Sequence, residues 1–565
     1  MSDPIKVEAR PSRSWLAAYP SGIAWDGLPP PGTLTAMWDA AAAGFASRPC
    51  VTFFGRTWTY AAMAALVDRA AAGFRKLGIG PGTRVGLCLP NTPFYVAAFY
   101  GALKAGAAVV NFNPLYTASE LAHQAADAGV AAMVTVDLEP ILGRVRELLD
   151  GGPVRHVVVC RFASALPAAK GLAFRLLKRR AIGRVPAGDA RVLDFAALTA
   201  GPPIANPPPV APSDLAVLQY TGGTTGIPKG AMLTHGNLAA NLDQVRAWFP
   251  QCRLGEERVL AVLPFFHVFA LTSVMNASLA WGAELVLLPR FELGPFMKTL
   301  RACRPTMLAG VPTLFKAVLD AGATRADLGS IRAAISGGAP LPAEVKRAYD
   351  ALGGAGLVEG YGLTEASPVC FCNPTAGENR PGTIGLPLPG VEAELRDPAA
   401  PMRLVPQGER GELCVRGPNV MAGYWHQPEE TARVLLPDGF LRTGDIGVMA
   451  PDGYVTLVDR IKDIIICSGF NVYPRVIEDA IYACPGVAAV TVVGMPDAYR
   501  GESPAAFVQA EPGVTLTPDA IKAFLKDRLS AIEMPRLIEI RDALPRTAVG
   551  KLSKTELRQE LRDRA

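Results

Sequence analysis

The chain has 565 residues, half of them hydrophobic and 19% charged, with a formal net charge of +5. That length exceeds what one hydrophobic core usually serves, so at least two domains are expected, and the apolar content excludes a disordered chain. The small positive charge does not suggest a nucleic-acid binder, which would concentrate basic residues on one face or stripe.

The first stretch carries Asp3, Lys6, Glu8, Arg10, Arg13 and Asp26 and lacks the apolar run of a secretory signal, so export is not expected. The cysteines are scattered without a CxxC pair, and Cys370 and Cys372 have no zinc-knuckle partners. Free thiols in a reducing cytosol are the default expectation. Helical patterns then alternate with the short apolar strands Val85–Leu89, Ala108–Phe112 and Ala132–Val136. Such alternation predicts α/β layers with largely parallel sheets.

The segment Arg161–Arg184 contains Arg161, Lys170, Arg175, Lys178, Arg179, Arg180 and Arg184 and no acidic residue. Leu166, Leu172, Phe174, Leu176 and Leu177 are interleaved. Two readings stand: a basic amphipathic helix lying on an anionic membrane surface, or a solvated helical face. The Pro-rich run Gly201–Pro212 reads as an extended connector.

It directly precedes the strand leading into the most informative stretch, Tyr220-Thr-Gly-Gly-Thr-Thr-Gly-Ile-Pro-Lys229-Gly230. Glycines let backbone N–H groups turn toward an anion, hydroxyls add donors, and the lysine adds a positive charge. The run is not a Walker A loop, which needs Gly-Lys followed by Ser or Thr. Alone, a phosphate loop and a flexible Gly/Thr turn are equally good readings. The apolar flanks Leu215–Tyr220 and Ala231–Thr234 predict that it joins two strands, with a helix from near Thr234 to Trp248.

Residues 259 to 283 contain no Lys, Arg, Asp or Glu, long enough to cross a bilayer. Pro264, His267, Thr272, Ser273, Asn276 and Ser278 interrupt the run, and a buried wall of an apolar pocket fits better. Further on, Gly453–Val458 reads as a strand, and Ile464–Cys467 is followed by a turn and a helix opened by Pro474.

Six further motifs follow the loop in order: Leu263-Pro-Phe-Phe-His267, Ser336-Gly-Gly-Ala-Pro340, Glu359-Gly-Tyr-Gly-Leu-Thr-Glu365, Thr443-Gly-Asp445, Asp459-Arg-Ile-Lys462-Asp463 and Pro545-Arg-Thr-Ala-Val-Gly-Lys551. Together with the loop they resemble the superfamily of acyl- and aryl-CoA synthetases, adenylation domains and luciferases, from about Leu34 to about Leu561. The run Cys467-Ser-Gly-Phe-Asn-Val-Tyr-Pro474 is most similar to bacterial long-chain fatty-acid–CoA ligases. The resemblance implies an α/β protein: a large N-terminal domain of layered α/β subdomains over 1–459, with the acyl pocket. A small mobile α+β domain over 460–565 would act as a lid, hinged near Lys462.

It further implies ATP-dependent activation of a carboxylic acid to an acyl-adenylate, then transfer to coenzyme A, with Mg2+ required. A carboxylate is a poor acyl donor, and its conversion to a phosphate ester needs positive charge around the phosphorus. By the family pattern, Thr221, Gly222, Gly223, Thr224, Thr225, Gly226 and Lys229 bind the β- and γ-phosphates, and Glu365 with Thr221 serves the metal. Thr364 meets the α-phosphate; Gly338, Ala339, Pro340, Tyr361 and Gly362 form the adenine slot; Asp445 and Arg460 hold the ribose. Lys551 serves adenylation, and domain rotation then presents Ser468 and Gly469 to the pantetheine arm. Phe266, His267, Gly310 and Val311 line the acyl pocket, where His267 is either a gate, a carboxylate contact or a hydrogen-bonded core residue.

Two departures stand out. Ala531-Ile-Glu533-Met-Pro535 replaces the common aromatic–lysine pair, and Arg475 follows Pro474 where small polar residues are frequent. The leading expectation is a medium- or long-chain fatty-acid–CoA ligase of the cytoplasm, with peripheral contact on the inner membrane face and room for a homodimer. The alternatives are a dicarboxylic or aromatic acid, a carrier-protein acceptor, or a non-catalytic acyl or nucleotide sensor. Intact Lys229, Glu365, Asp445 and Lys551 argue against the sensor.

Overall fold

The structure is a computed structural model and describes residues 13–185, 188–221, 228–468, 470–497, 499–547 and 550–564. The loop residues Gly222, Gly223, Thr224, Thr225 and Gly226, and Gly469 of the second turn, lie outside the described residues. Cα packing divides the chain into two units. The larger is Tyr19–Val391 with Arg416–Gly439; the smaller comprises Glu392–Val415 and Phe440–Ala565 together with the chain up to Ala18. The sequence-based boundary between 459 and 460 falls in the smaller unit, inside the strand Val455–Arg460.

The larger unit is α/β, as the alternating pattern predicts. Its seven-stranded sheet runs in the spatial order Val192–Asp194, His156–Cys160, Ala132–Val136, Arg84–Cys88, Ala108–Asn111, Leu215–Thr221, Lys229–Thr234. Neighbours are parallel until the last pair, where Leu215–Thr221 and Lys229–Thr234 run antiparallel with Thr221 opposite Lys229. The phosphate-loop flanks are therefore two strands, as read from their apolar residues. The helix His235–Trp248 follows, with the Thr234 hydroxyl accepting from the Asn237 N–H and the Asn237 side chain accepting in return. Such a reciprocal cap satisfies two N–H groups that a helix start otherwise leaves unpaired.

The nine-stranded sheet holds a parallel centre. In spatial order the strands Leu357–Gly362, Ala333–Gly337, Met307–Gly310, Arg258–Ala261, Glu284–Leu287 and Pro49–Phe53 are parallel neighbours. The outer strands Val369–Cys372, Leu386–Pro387 and Arg56–Thr59 pair antiparallel at the two edges. Both faces of the parallel centre are buried, so its strands read as near-continuous apolar runs. The uncharged stretch 259–283 forms the strand Arg258–Ala261, a π-helical turn Ala270–Asn276 and the short helix Ala277–Ala280. Among the described residues no helix is long and apolar enough to cross a membrane.

The basic segment folds as the helix Ala168–Leu177 and a 3-10 turn Arg179–Ala181. Only Gly171 of that helix is buried. Phe174 packs on Phe162 at 5.1 Å, while Leu172, Leu176 and Leu177 are 61%, 66% and 81% exposed.

The smaller unit contains two sheets. One orders Ala400–Leu404, Glu392–Asp397, Gly411–Arg416, Leu441–Met449 and Val455–Arg460. The other orders Phe470–Val472, Ile465–Cys467, Gly501–Ala510 and Val487–Asp497, with Leu537–Arg541 added parallel to Gly501–Ala510. The helices Pro474–Tyr482 and Pro518–Leu525 contribute Ile477, Ile481, Ile521 and Leu525 to its core with Val490, Val492 and Val508. This is the α+β arrangement that the sequence predicts for the C-terminal part.

Candidate active site

Four of the sequence-predicted segments follow or end adjacent parallel strands of the nine-stranded sheet. His267 follows Arg258–Ala261, Gly310 and Val311 end or follow Met307–Gly310, Gly338–Pro340 follow Ala333–Gly337, and Tyr361–Glu365 end or follow Leu357–Gly362. The register aligns Gly310 with Ser336 and Gly337 with Gly360, so these loops leave the sheet at one edge. Ligands of open α/β sheets bind in crevices outside the carboxyl ends of the strands.

Local packing explains the small residues there. A Cβ on Gly362 would lie 1.9 Å from the Pro368 carbonyl oxygen, and one on Gly310 would meet Phe315 at 2.8 Å. Gly338 has φ of +80°, a conformation that other residues adopt at a cost. The Thr364–Ala366 turn is tied down by Leu363 N–H donating to Pro368 O at 3.0 Å and by Met421 N–H donating to Glu365 O at 2.8 Å.

The Leu263–His267 segment is held by residues that the motif reading did not single out. Asn91 donates to Leu263 O at 2.8 Å and accepts from Phe265 N–H at 2.9 Å. Gln219 donates to Phe266 O at 2.9 Å, and the Tyr95 hydroxyl lies 3.0 Å from Phe265 O and 2.6 Å from Asn111 Oδ1. His267 is half-buried and its Nδ1 accepts from Phe269 N–H at 3.4 Å.

Lys229 stands at the start of its strand, and its ammonium is paired with Glu430 Oε2. The same ammonium lies 5.3 Å over the ring of Tyr424. The Tyr424 hydroxyl donates to Glu365 Oε1 at 2.7 Å. One tyrosine therefore touches both the predicted phosphate lysine and the predicted metal carboxylate. Burial and Glu365 push the Tyr424 hydroxyl well above the ordinary tyrosine value, which keeps it a donor. The Lys229 hydrogen bond holds Glu430 below the usual carboxylate range. Neither Tyr424 nor Glu430 lies in a quoted motif, and they sit 59 and 201 positions from the residues they serve.

The smaller unit assembles a second set. Asp445 and Arg460 are register partners on adjacent strands, with Arg460 Nε 3.2 Å from Asp445 Oδ1. The Thr443 hydroxyl donates to Leu413 O at 2.7 Å and accepts from Asp445 N–H at 3.1 Å, fixing the Thr-Gly-Asp turn. Lys462 is held below the ordinary lysine value by desolvation and then by Arg460, against Asp463 and Asp445. Ser468 has φ of +53° and donates its N–H to Arg500 O at 2.8 Å.

Lys551 closes a tight turn in which Thr547 N–H donates to Lys551 O at 2.7 Å. Burial, then the nearby charge of Arg460, pushes its ammonium from 10.5 down to about 8, with Asp445 opposing. Asp445, Arg460 and Lys551 thus feel one another's charge.

Residues 38–425 match the family of AMP-binding enzymes, and residues 476–551 match the C-terminal domain of AMP-binding enzymes. The chain belongs to the AMP-binding enzyme family, among its adenylate-forming acyl-CoA ligases. It is 39% identical to the long-chain-fatty-acid–CoA ligase of Bacillus subtilis strain 168 over 97% of this chain and 98% of that one. It is 36% identical to a feruloyl-CoA synthase of an Amycolatopsis species, over 89% and 94%. The solved structure of ATP-bound MatB from Rhodopseudomonas palustris superposes with a TM-score of 0.79 at 29% identity, covering 94% of this chain and 99% of that one.

The Lys551 environment gives a titration that can be read directly. Its amine should become reactive to an acylating reagent as pH rises through about 8, well before ordinary lysines, in peptide-resolved mass spectrometry. Arg460→Gln should move that midpoint up and Asp445→Asn should move it down. The linkage sign follows: the unfolded chain binds the proton more tightly, so this residue's contribution to stability rises between about pH 8 and 10.5. A midpoint near the ordinary lysine value would contradict the assigned environment.

Proposed function

We propose that the protein activates a long-chain fatty acid with ATP and passes the acyl group to coenzyme A, releasing AMP and pyrophosphate. The observation that carries the choice of acid is the similarity to a long-chain-fatty-acid–CoA ligase over 97% of this chain. A small apolar cavity of about 30 Å³ in the larger unit is lined by Phe249, Val259, Trp281, Met307 and Ile335, with Ser273 and Ser278 as its hydroxyl groups, and by none of the predicted acyl-pocket residues. No charged side chain lines it among the described residues. Neither this cavity nor a wider groove along the helix Leu293–Cys303 contains any of the predicted site residues.

In this reading Lys229, Thr364, Glu365 and Lys551 are the catalytic residues. Lys229 with Thr221 and the loop through Gly226 binds the outer phosphates, Thr364 contacts the α-phosphate, and Tyr361 with Gly338–Pro340 borders the adenine. Asp445 accepts from the ribose hydroxyls with Arg460 beside it. Among the described residues no group of three or more His, Cys, Asp or Glu side chains forms a metal cage. One carboxylate, Glu365, with the hydroxyl of Thr221 fits Mg2+, which is commonly held by few protein ligands together with substrate phosphates. Bound there, Mg2+ supplies charge neutralisation on the phosphates.

The protonated Lys551 is suited to hold two anions, carboxylate and α-phosphate, as they approach. Lys462 is the hinge, at a boundary near 459/460, for a second conformation in which Ser468 and Gly469 border the pantetheine arm. The acyl pocket is bordered by Phe266, His267, Gly310 and Val311. The basic helix with its exposed leucines is the contact to the cytoplasmic membrane face, where a fatty acid partitions.

An assay of acid- and CoA-dependent AMP release tests the whole reading. Each methylene buried contributes about 0.8 kcal/mol, roughly fourfold in kcat/KM, while an unpaired buried carboxylate costs several kcal/mol. Rates should rise from octanoate through dodecanoate toward palmitate and stay low for pimelate and benzoate. A preference for pimelate or benzoate would overturn the fatty-acid assignment and leave adenylation in place.

Lys551→Ala should slow acyl-adenylate formation at least about a hundredfold, as losing a preorganised charge does, and leave thioester formation from supplied acyl-adenylate near wild type. Equal loss in both half-reactions would sink the two-conformation scheme. Neutralising Lys178, Arg179 and Arg180 should reduce cosedimentation with anionic vesicles, each charge being worth about 1 kcal/mol. Wild-type protein that stays in the supernatant at low salt would show the helix to be a solvated face.

A further inference from the structure

The segment Gly423–Glu430 sits against the strand that begins with Lys229. Met232 N–H donates to Gly423 O at 2.9 Å, Trp425 N–H donates to Gly230 O at 2.8 Å, and Ala231 bridges to Tyr424. Tyr424 N–H donates to Thr431 Oγ1 at 2.9 Å, and that hydroxyl donates to Gln427 O at 2.8 Å. Tyr424 is thus a buried side chain whose backbone is fixed from two sides. Its hydroxyl ends on Glu365 and its ring lies under Lys229.

We propose that Tyr424 is a positioning residue for the adenylation step, its hydroxyl orienting the Glu365 carboxylate and its ring fixing the Lys229 ammonium. The inference rests on the acid-activating reading above. A hydrogen bond on Oε1 fixes the carboxylate plane and with it the direction of Oε2. Outer partners of this kind orient ligating carboxylates, and their removal typically costs about tenfold or more in metal affinity. The ring acts differently: its negative face attracts an ammonium without neutralising it, so the lysine keeps its charge for phosphate. Glu430 restrains the same ammonium from another side, which makes the turn Tyr424–Glu430 the common support of a cation and an anion far apart in sequence.

The test is equilibrium calorimetry on the full-length protein, with ATP titrated in the presence and absence of Mg2+ and with no acid. Tyr424→Phe keeps the ring and should cut the strengthening of ATP binding by Mg2+ about tenfold, leaving Mg2+-free binding unchanged. Tyr424→Leu removes the ring as well and should also weaken Mg2+-free binding. The double variant Glu365→Gln, Tyr424→Phe should bind MgATP no more weakly than Glu365→Gln alone, because the tyrosine acts through that carboxylate. A full Mg2+ effect in Tyr424→Phe, or additive losses in the double variant, overturns the proposal. Should Tyr424→Phe fail to fold, Thr431→Val, which releases the tyrosine backbone, decides by the same measurement. Acid-dependent ATP–pyrophosphate exchange by wild type separates the two readings. Absence of exchange with every acid sinks the ligase reading and this role with it, whereas exchange beside an undiminished Mg2+ effect in Tyr424→Phe sinks this role alone.

Discussion

The register of four neighbouring parallel strands is the constraint on which the larger unit's chemistry depends. Parallel strands cannot be joined by tight turns; each needs a crossover that returns the chain to the same starting edge. Every loop that follows a strand then leaves at the opposite, common edge. His267, Gly310, Gly338 and Tyr361 are separated by tens of residues in sequence and become neighbours for that reason alone. The glycines in these loops follow from the crowding. Where Gly362 passes the Pro368 carbonyl there is no room for a methyl group.

The two lysines at the centre of the functional reading have opposite surroundings. Lys229 has an acidic partner, Glu430, and an aromatic face, Tyr424. Lys551 feels Arg460 as well as Asp445 and is partly stripped of solvent, so its proton is held less tightly. A lysine paired in advance is restrained before any phosphate arrives. A lysine with a weakened proton gains more from the approach of an anion, because that anion relieves the repulsion from Arg460. In the proposed reading, the difference suits a permanent phosphate contact in the first case and a contact made for one step in the second.

Much of this was legible in the sequence, for physical reasons that differ from element to element. Alternating apolar runs gave the α/β layers because strands buried on both faces have no polar side to hide. The flanks of the phosphate loop announced two strands, since short β-prone runs bracket a Gly/Thr turn. The candidate site residues were named from ordered motifs, and folding brings four of those segments to one edge of a sheet. What stayed hidden are the supports. Tyr424 and Glu430 touch Glu365 and Lys229 only after folding, and Asn91 and Gln219 grip the Leu263–His267 segment from another sheet. No periodicity or spacing announces a pair that is brought together by tertiary packing alone. The packing-based division of the chain is equally invisible, because Glu392–Val415 joins the C-terminal sheets through strand pairing distant in sequence.

In the proposed reading, the identity of the acid and the reaction are set by different parts of the molecule. The strand-end loops carry the segments that match the family's ordered motifs, and relatives named for fatty-acid and feruloyl substrates match this chain over most of its length. Discrimination between acids falls, in that reading, to the walls of the acyl pocket, for which the uncharged stretch 259–283 is the candidate. A wall without charge rejects a second carboxylate through the cost of leaving it unpaired, and it accepts methylenes through their removal from water. Chain length is then limited by where the wall ends, a matter of side-chain volume. Volume can change at one position without disturbing the parallel register, which is how one scaffold serves many acids.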